Sequence, residues 1–439
     1  MTKKLHIVSL GCNKNLVDTE VMLGRLREYE ITPEVGEADL VIVNTCGFIG
    51  PAKEESIRTT LELHAHRKKG SLLVMAGCLS ERYRDELAQE LPEVDIIAGV
   101  GDYARIDELI EGRRNATHGE VFLIGDEERV ITGSTSHAYI KIAEGCNQTC
   151  SFCAIPGFKG KLHSRSLESI VKEITRLKEQ GFYDFSLIAQ DSSSWGRDIG
   201  IKDGLLTLID AIEAIGGIRA RILYLYPTTV TKKLIARIAQ SSVFLPYFDI
   251  PIQHIHDGML KKMKRGMGRT KTVELLETMR AIPGSFVRTG IIVGHPGESE
   301  EAFEELVRFI ENFGFDRLSV FAYSDEEGTP AYEMKDKIDP KEIRRRLKII
   351  EKSVAKLHRN NAKKMVGQKI LATLTGVSDE GDYFWEAKAL LWAPEIDGKI
   401  LINDSEVDAP ETGRLYEVEI TSHAGQTLLA TLLRPATLS

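Results

Sequence analysis

Residues 144–153 read Glu144-Gly145-Cys146-Asn147-Gln148-Thr149-Cys150-Ser151-Phe152-Cys153, three cysteines at CxxxCxxC spacing directly after the apolar run 138–143. Three thiolates on one short loop can hold three irons of a cubane and leave the fourth iron open to a small molecule. A structural zinc site would recruit a fourth Cys or His at regular spacing, and His163 is the nearby candidate. Packing cysteines crowded beside Gly145 and Pro156 would make an odd core. The spacing therefore points to an iron–sulfur site used for catalysis.

Working outward, 439 residues exceed one hydrophobic core and indicate about three domains of roughly 100–200 residues each. No apolar run approaches the ~20 residues that span a bilayer. The N-terminal apolar stretch is short and broken by His6, so it reads as a first strand rather than a signal. Six cysteines in a chain of this size suit reduced thiols in the cytoplasm better than a disulfide scaffold.

In the first domain, assigned to 1–125, strand-like runs at 6–10, 39–43 and 71–75 alternate with helices beginning near Leu16, Ala52 and Glu81. This βαβ pattern predicts a mostly parallel sheet. Cys12, Cys46 and Cys78 each follow one of these runs. They therefore sit beyond the carboxyl edge, where parallel sheets place ligands. The repetition suggests a second three-thiolate cluster; the competing account is single buried cysteines at strand ends.

Residues 113–135, rich in charge and turn residues, read as a connection. A second series follows, assigned to 132–366, with strands expected at 138–143, 184–189, 221–226, 247–252, 287–293 and 318–323. Six βα units predict a partial, open TIM-like (β/α)6 barrel with its chemistry at the C-terminal strand ends. The cysteine loop follows the first of these strands. Gln190, Asp191, Gln253, His254, His295, Glu298, Tyr323 and Ser324 share its rim.

Pro340 opens a basic helix with an apolar stripe of Ile343, Leu347, Ile350, Val354 and Leu357. Its cations suit a solvated face or nucleic acid. Residues 367–439 carry short β-rich runs and predict a small antiparallel β-barrel of OB type. That segment has 5 Lys and Arg against 12 Asp and Glu, a net of −7 in a chain of net −8. An RNA-binding surface should be basic, so the acidic barrel argues against RNA contact and suits a basic protein.

The whole chain resembles the radical SAM methylthiotransferases: an α/β domain with dispersed cysteines, a CxxxCxxC partial barrel and a TRAM barrel. Val8-Ser9-Leu10-Gly11-Cys12-Asn13-Lys14-Asn15 and Asn44-Thr45-Cys46-Gly47-Phe48-Ile49 look like signatures of the branch modifying a ribosomal protein. The tRNA adenosine branch, the alternative, typically carries glutamine-methionine-asparagine where Asn13-Lys14-Asn15 stands.

The resemblance implies two 4Fe-4S clusters, one on Cys146, Cys150 and Cys153 and an auxiliary one on Cys12, Cys46 and Cys78. It implies two uses of S-adenosylmethionine, as source of a 5′-deoxyadenosyl radical and as methyl donor. The implied product is a β-methylthioaspartate on small-subunit ribosomal protein twelve, with an electron donor and a sulfur source as further partners. Phe152, Arg165, Gly290 and Gly294 are the implied S-adenosylmethionine contacts. At 158–163 the chain reads Phe158-Lys159-Gly160-Lys161-Leu162-His163, where relatives commonly have more arginine.

Overall fold

The computed structural model describes residues 2–113, 115–116, 120–381 and 385–438. Within the expected connection 113–135, positions 114 and 117–119 lie outside the described residues, as do the terminal residues 1 and 439.

The first strands are β1 (Lys4–Ser9), β2 (Glu30–Ile31), β3 (Leu40–Thr45), β4 (Leu72–Gly77) and β5 (Ile96–Ala98). They form a parallel sheet in the order β2-β1-β3-β4-β5. Strand β3, Leu-Val-Ile-Val-Asn-Thr, is buried along its whole length. Such a run suits a parallel strand covered on both faces. Helices α1 (Asn13–Arg25), α2 (Gly50–His66), α3 (Cys78–Arg82), α4 (Arg84–Glu90) and α5 (Ile106–Gly112) complete this unit. Strands β2 and β5 fall outside the expected series; two and three residues are too few to show a period.

The second unit begins with β6 (His137–Lys141) and a small ribbon of β7 (Ala143–Glu144) against β8 (His163–Ser164). Helix α6 (Ile155–Lys159) lies between the ribbon strands. Strands β9 (Asp184–Ile188), β10 (Arg219–Ile222), β11 (Phe244–Asp249), β12 (Phe286–Val293) and β13 (Arg317–Ala322) then alternate with helices α7 (Leu167–Glu179), α8 (Gly204–Glu213), α9 (Lys232–Gln240), α10 (Asp257–Lys262), α11 (Arg269–Arg280) and α12 (Glu300–Phe313). The sheet order β13-β12-β11-β10-β9-β6 leaves β6 and β13 as free edges, so the expected six-stranded partial barrel is open. Helix α7 buries Ile170, Ile174 and Leu177 on one face, and the Ser166 hydroxyl caps it by accepting from the Ser169 amide. Each such apolar side chain contributes roughly 1.5–3 kcal/mol when fully buried.

Helix α13 (Pro340–Met365) starts where the proline predicts, capped by Asp339. Its stripe buries Ile350 and Val354 against the barrel core. Arg346, in the basic run of this helix, is 5% exposed and is held by Glu298 and Glu342.

The last unit is a closed five-stranded barrel of β14 (Lys369–Val377), β15 (Trp385–Ala389), β16 (Ile400–Ser405), β17 (Leu415–Ala424) and β18 (Thr427–Pro435). Its expected all-antiparallel character is corrected at one seam, where β16 pairs parallel with β18. Closure requires the fifth strand to return beside the third, and the chain directions there coincide. The loop 390–397 of this barrel docks on strands of the larger one: the Leu390 carbonyl accepts from Arg221 of β10 (2.6 Å), the Pro394 carbonyl from the Tyr139 hydroxyl of β6 (2.8 Å), and the Asp397 carboxylate from the Tyr247 hydroxyl of β11 (2.7 Å).

The connection 113–135 carries no helix or strand among its described residues, yet it is not a solvated tether. Ile124 is buried, and Arg129, 7% exposed, ties Glu20 of α1 to Glu173 of α7. Charge here marks an interface rather than solvent.

Candidate functional site

Cys12 caps the start of α1, Cys46 directly follows β3, and Cys78 is the first residue of α3, directly after β4. These three stations on adjacent parallel strands meet because the backbone between them is unusually close. Gly11, at φ +89°, has the Cys46 Sγ 2.9 Å from where a side chain would begin. Gly47 has the Cys78 carbonyl at 2.8 Å. A Cβ at either position would push the cysteine loops apart.

Asn15 ties the three loops together. Its Nδ2 donates to the Leu10 and Thr45 carbonyls, both at 3.0 Å, and its Oδ1 accepts from the Cys78 thiol at 3.6 Å. Asn44 then fixes Asn15 by donating to its carbonyl at 2.8 Å. Cys12 is exposed and Cys46 half-buried, so the triplet is open on one side. Burial pushes the Cys46 thiol up to about 11 and the Cys78 thiol up to about 12.

The second triplet lies on the loop bracketed by the β7–β8 ribbon. Gly145, at φ +74°, turns the chain so that the Cys146 amide donates to the Gly160 carbonyl (3.1 Å), closing the loop against its own exit. The Gln148 amide donates to the Cys146 sulfur (3.4 Å), and the Gln148 side chain donates to Asp191 (2.8 Å), one of the expected rim residues. Burial raises the Cys146 thiol to about 11 and the Cys153 thiol to about 12.

Arg265 joins this site without any sequence signal for it. It is 4% exposed, donates to the Cys150 sulfur at 3.0 Å, and stacks its guanidinium 4.2 Å from the Tyr226 ring centroid. In sequence it sits in Lys261-Lys262-Met263-Lys264-Arg265, which reads as an ordinary solvated basic run. Only the fold turns that one guanidinium inward.

The donor sets fit iron–sulfur clusters. Each triplet presents soft thiols: Cys78 is oriented by the Asn15 oxygen that accepts from it, Cys146 and Cys150 by donors from the Gln148 amide and Arg265, and the first triplet has an open face at Cys12. Among the described residues no three His, Cys, Asp or Glu side chains close on a single point as one metal ion requires. A cubane takes one thiolate per iron and so suits more widely spread ligands.

The two α/β units meet at one junction. Lys141 of β6, completely desolvated, pairs with Asp18 of α1 and with Glu144 at 2.7 Å. Tyr224, held at φ +60° just past β10, donates to Asn13 beside Cys12 at 3.1 Å, and the Lys14 ammonium lies 3.4 Å above its ring. Burial opposes ionisation of Glu144, but Lys141 and Lys159 outweigh it and hold that carboxyl down at about 2.

The expected S-adenosylmethionine contacts divide. Phe152 packs on the cluster of Met259, Met263 and Ala302, with the His295 ring edge-on at 6.5 Å between centroids. A Cβ at Gly290 would meet Phe321 and Pro251 at 3.8 Å, ordinary van der Waals distance, so the position tolerates close approach without strain. Gly294 serves packing instead, since at φ +86° it admits Ile343 of α13, 2.6 Å from where a Cβ would stand. Arg165 turns away from the cysteine loop. Its five donors are committed to Glu173, the Lys141 carbonyl, the Ser169 hydroxyl and carbonyl, and the Gly125 carbonyl, which leaves none for a cofactor carboxylate. That expectation is corrected: a guanidinium buried between domains satisfies its donors locally.

His295, fully buried, has its Nε2 2.9 Å from the Ser151 hydroxyl. His254 lies 3.3 Å from Glu298, whose carboxylate also accepts from the Gly294 amide. Ser324 accepts from the Gly50 amide (3.0 Å), and Glu326 beside it binds Lys53 and Arg82. Of the anticipated rim, Ser324 therefore joins the two α/β units, while His254, His295 and Glu298 bond within the second.

Residues 4–99 match Uncharacterized protein family UPF0004, residues 140–310 the Radical SAM superfamily, and residues 366–433 the TRAM domain. A radical S-adenosylmethionine methyltransferase of Kitasatospora setae, TsrM, solved with cobalamin and a 4Fe-4S cluster bound, shares the fold. It aligns with a TM-score of 0.53 and 15% identity over 75% of this chain and 74% of its own. Fold and cysteine loop thus define a radical SAM enzyme, with an iron–sulfur cluster and S-adenosylmethionine as cofactors.

Full-length relatives narrow the class. A protein of a Nitratiruptor species, named ribosomal protein uS12 methylthiotransferase RimO, is 60% identical over 98% of this chain and 100% of its own. One of the same name from Wolinella succinogenes is 58% identical over 99% of both chains. The chain belongs to this RimO family of radical SAM methylthiotransferases.

Proposed function

We propose that this enzyme transfers a methylthio group to the β-carbon of an aspartate in ribosomal protein uS12, using one 4Fe-4S cluster on Cys146, Cys150 and Cys153 and a second on Cys12, Cys46 and Cys78. The observation that carries the reading is that the two cysteine triplets stand at the C-terminal edges of two parallel sheets whose units are joined through the desolvated Lys141–Asp18–Glu144 group. When bound, the clusters and S-adenosylmethionine supply the one-electron and sulfur chemistry.

The chain's own residues orient and shield. Asn15 and Gly47 hold the first triplet in register; Arg265 and Gln148 donate to sulfurs of the second and fix their orientation. The Lys141–Asp18–Glu144 group fixes one sheet edge against the other in a dry, low-dielectric setting, which keeps reactive species from water. Phe152 and Gly290 are the remaining candidates for contact with the adenosyl group.

The acidic TRAM barrel suits a basic protein substrate and disfavours RNA, which supports uS12 over the tRNA alternative. An electron donor and a sulfur source complete the partners, and the cytoplasm, where ribosomal proteins are made, is the setting. Among the described residues no helix is long and apolar enough to cross a membrane.

The deciding experiment is anaerobic reconstitution followed by incubation with S-adenosylmethionine, sulfide, reductant and either uS12 or tRNA. Mass spectrometry should find the methylthio increment on uS12 alone; an increment on tRNA overturns the substrate. Reconstitution should load about eight irons, and about four in variants lacking either triplet.

A further inference from the structure

Lys14 is the second residue of α1, two positions after Cys12, and its side chain reaches across to the radical SAM unit, where the ammonium lies 3.4 Å above the Tyr224 ring. The residue is 9% exposed, and among the described residues no carboxylate comes within ion-pair distance of it. The acids of the neighbouring network are already matched: Asp18 and Glu144 stand against Lys141 and Lys159, two carboxylates to two ammoniums. Asp249, which accepts from the Tyr224 amide at 3.0 Å, pairs with Arg288. Lys14 is the cation left over.

That placement is unfavourable for a lysine in the free protein. A first-turn cation opposes the positive end of the helix dipole, and α1 has neither an acidic residue in its first turn nor a side-chain cap. Contact with a ring face offsets only part of the cost of desolvating an ammonium. The surroundings nevertheless hold the arrangement. Tyr224 stands at φ +60°, a conformation few residues other than glycine adopt, and its hydroxyl donates to Asn13 at 3.1 Å. An unpaired ammonium at the positive end of a helix, beside the exposed Cys12, favours an anion.

Methylthiolation exchanges a hydrogen on the β-carbon for sulfur and leaves the side-chain carboxylate of the aspartate intact, so the substrate brings an anion one bond from the reacting carbon. We infer that Lys14 binds the carboxylate of the target aspartate and thereby determines which residue of the substrate is accepted. S-adenosylmethionine carries the other carboxylate in the reaction, but Lys14 belongs to the first unit and follows Cys12, away in sequence and in unit from the cysteine loop 146–153.

This role rests on uS12 being the substrate, and the experiment separates the two. Absence of a methylthio increment on uS12 with the parent enzyme overturns the substrate and this role with it. With the increment present, fluorescence anisotropy measures the affinity of the reconstituted enzyme for labelled uS12 and for uS12 carrying Asn at the modified position. The parent should prefer the aspartate form by about tenfold or more, the worth of a charge-assisted hydrogen bond. Lys14→Met should erase that preference while keeping the parent's iron content and its affinity for S-adenosylmethionine, and Lys14→Arg, which keeps the charge, should retain part of it. Lys14→Gln repeats the charge removal with a polar side chain. Equal affinity of the parent for the two forms overturns the role even if a neutral variant fails to load iron. A preference that survives in Lys14→Met or Lys14→Gln overturns it, as does a loss confined to S-adenosylmethionine affinity.

Discussion

Gly294 and His295 are adjacent on the expected rim, yet each answers to a different neighbour. Gly294→Ala would place a methyl 2.6 Å from Ile343 at a φ of +86°. Strain plus overpacking should cost about 2–4 kcal/mol, read as a lower urea midpoint at unchanged m-value. The His295 imidazole, desolvated inside the barrel, titrates at about 4 rather than at its usual 6.5. Between those values the unfolded chain binds the extra proton and the native state does not, so stability is complete above about pH 6.5 and falls as pH drops toward 4. The loss should approach about 3 kcal/mol at the acid end, and His295→Gln should flatten that part of the stability–pH curve. A variant retaining the full slope would assign the effect elsewhere.

At the scale of elements, ion pairs differ by burial more than by distance. Arg129 is about 1% exposed at its side chain and joins Glu20 on α1 to Glu173 on α7, with Arg165 completing the group. Arg129→Met leaves Glu20 buried without its cation and should destabilise the enzyme by about 3–5 kcal/mol. Arg27 and Glu128 approach to 2.6 Å nearby but are more than half exposed. Arg27→Met should cost less than about 1 kcal/mol. Paired denaturation curves of the two variants check the contrast. The connection at 113–135 hides its buried Arg129 for this reason: charge and turn residues look alike in sequence whether they meet water or a partner.

At the scale of the molecule, the acidic barrel stands at the end of a chain that is otherwise close to neutral. If it recruits uS12 through opposite charge, complex formation should weaken by about tenfold or more as ionic strength rises from about 0.1 to about 1 M, where the Debye length shortens from about 10 to about 3 Å. Neutralising the exposed Asp404, Glu406 and Asp408 together should lower affinity for uS12 and reduce that salt slope. Titration calorimetry or fluorescence anisotropy at several salt concentrations measures both. A salt-independent affinity would remove the barrel from substrate recognition.

The partial barrel and the cysteine loop are legible in the sequence because both are local: strands recur as apolar runs, and three ligands fall within eight residues. The parallel sheet of the first unit follows from alternation, and with it the common edge on which Cys12, Cys46 and Cys78 lie. Their contact through Asn15 and the close approach at Gly11 and Gly47 do not, because strand order is set by tertiary pairing. Arg165, Gly294 and Arg265 make the same point from the other side. A motif position tells which residue type is present; which neighbour satisfies its donors is decided when distant segments pack. The three units, the two cysteine triplets and the acidic tail are therefore written in the chain, since they depend on period, spacing and composition. That a dry Lys141–Asp18–Glu144 group joins the two α/β units, and that Lys14 is left without a carboxylate, emerges only on folding, because burial and hydrogen-bond satisfaction are properties of the packed interface.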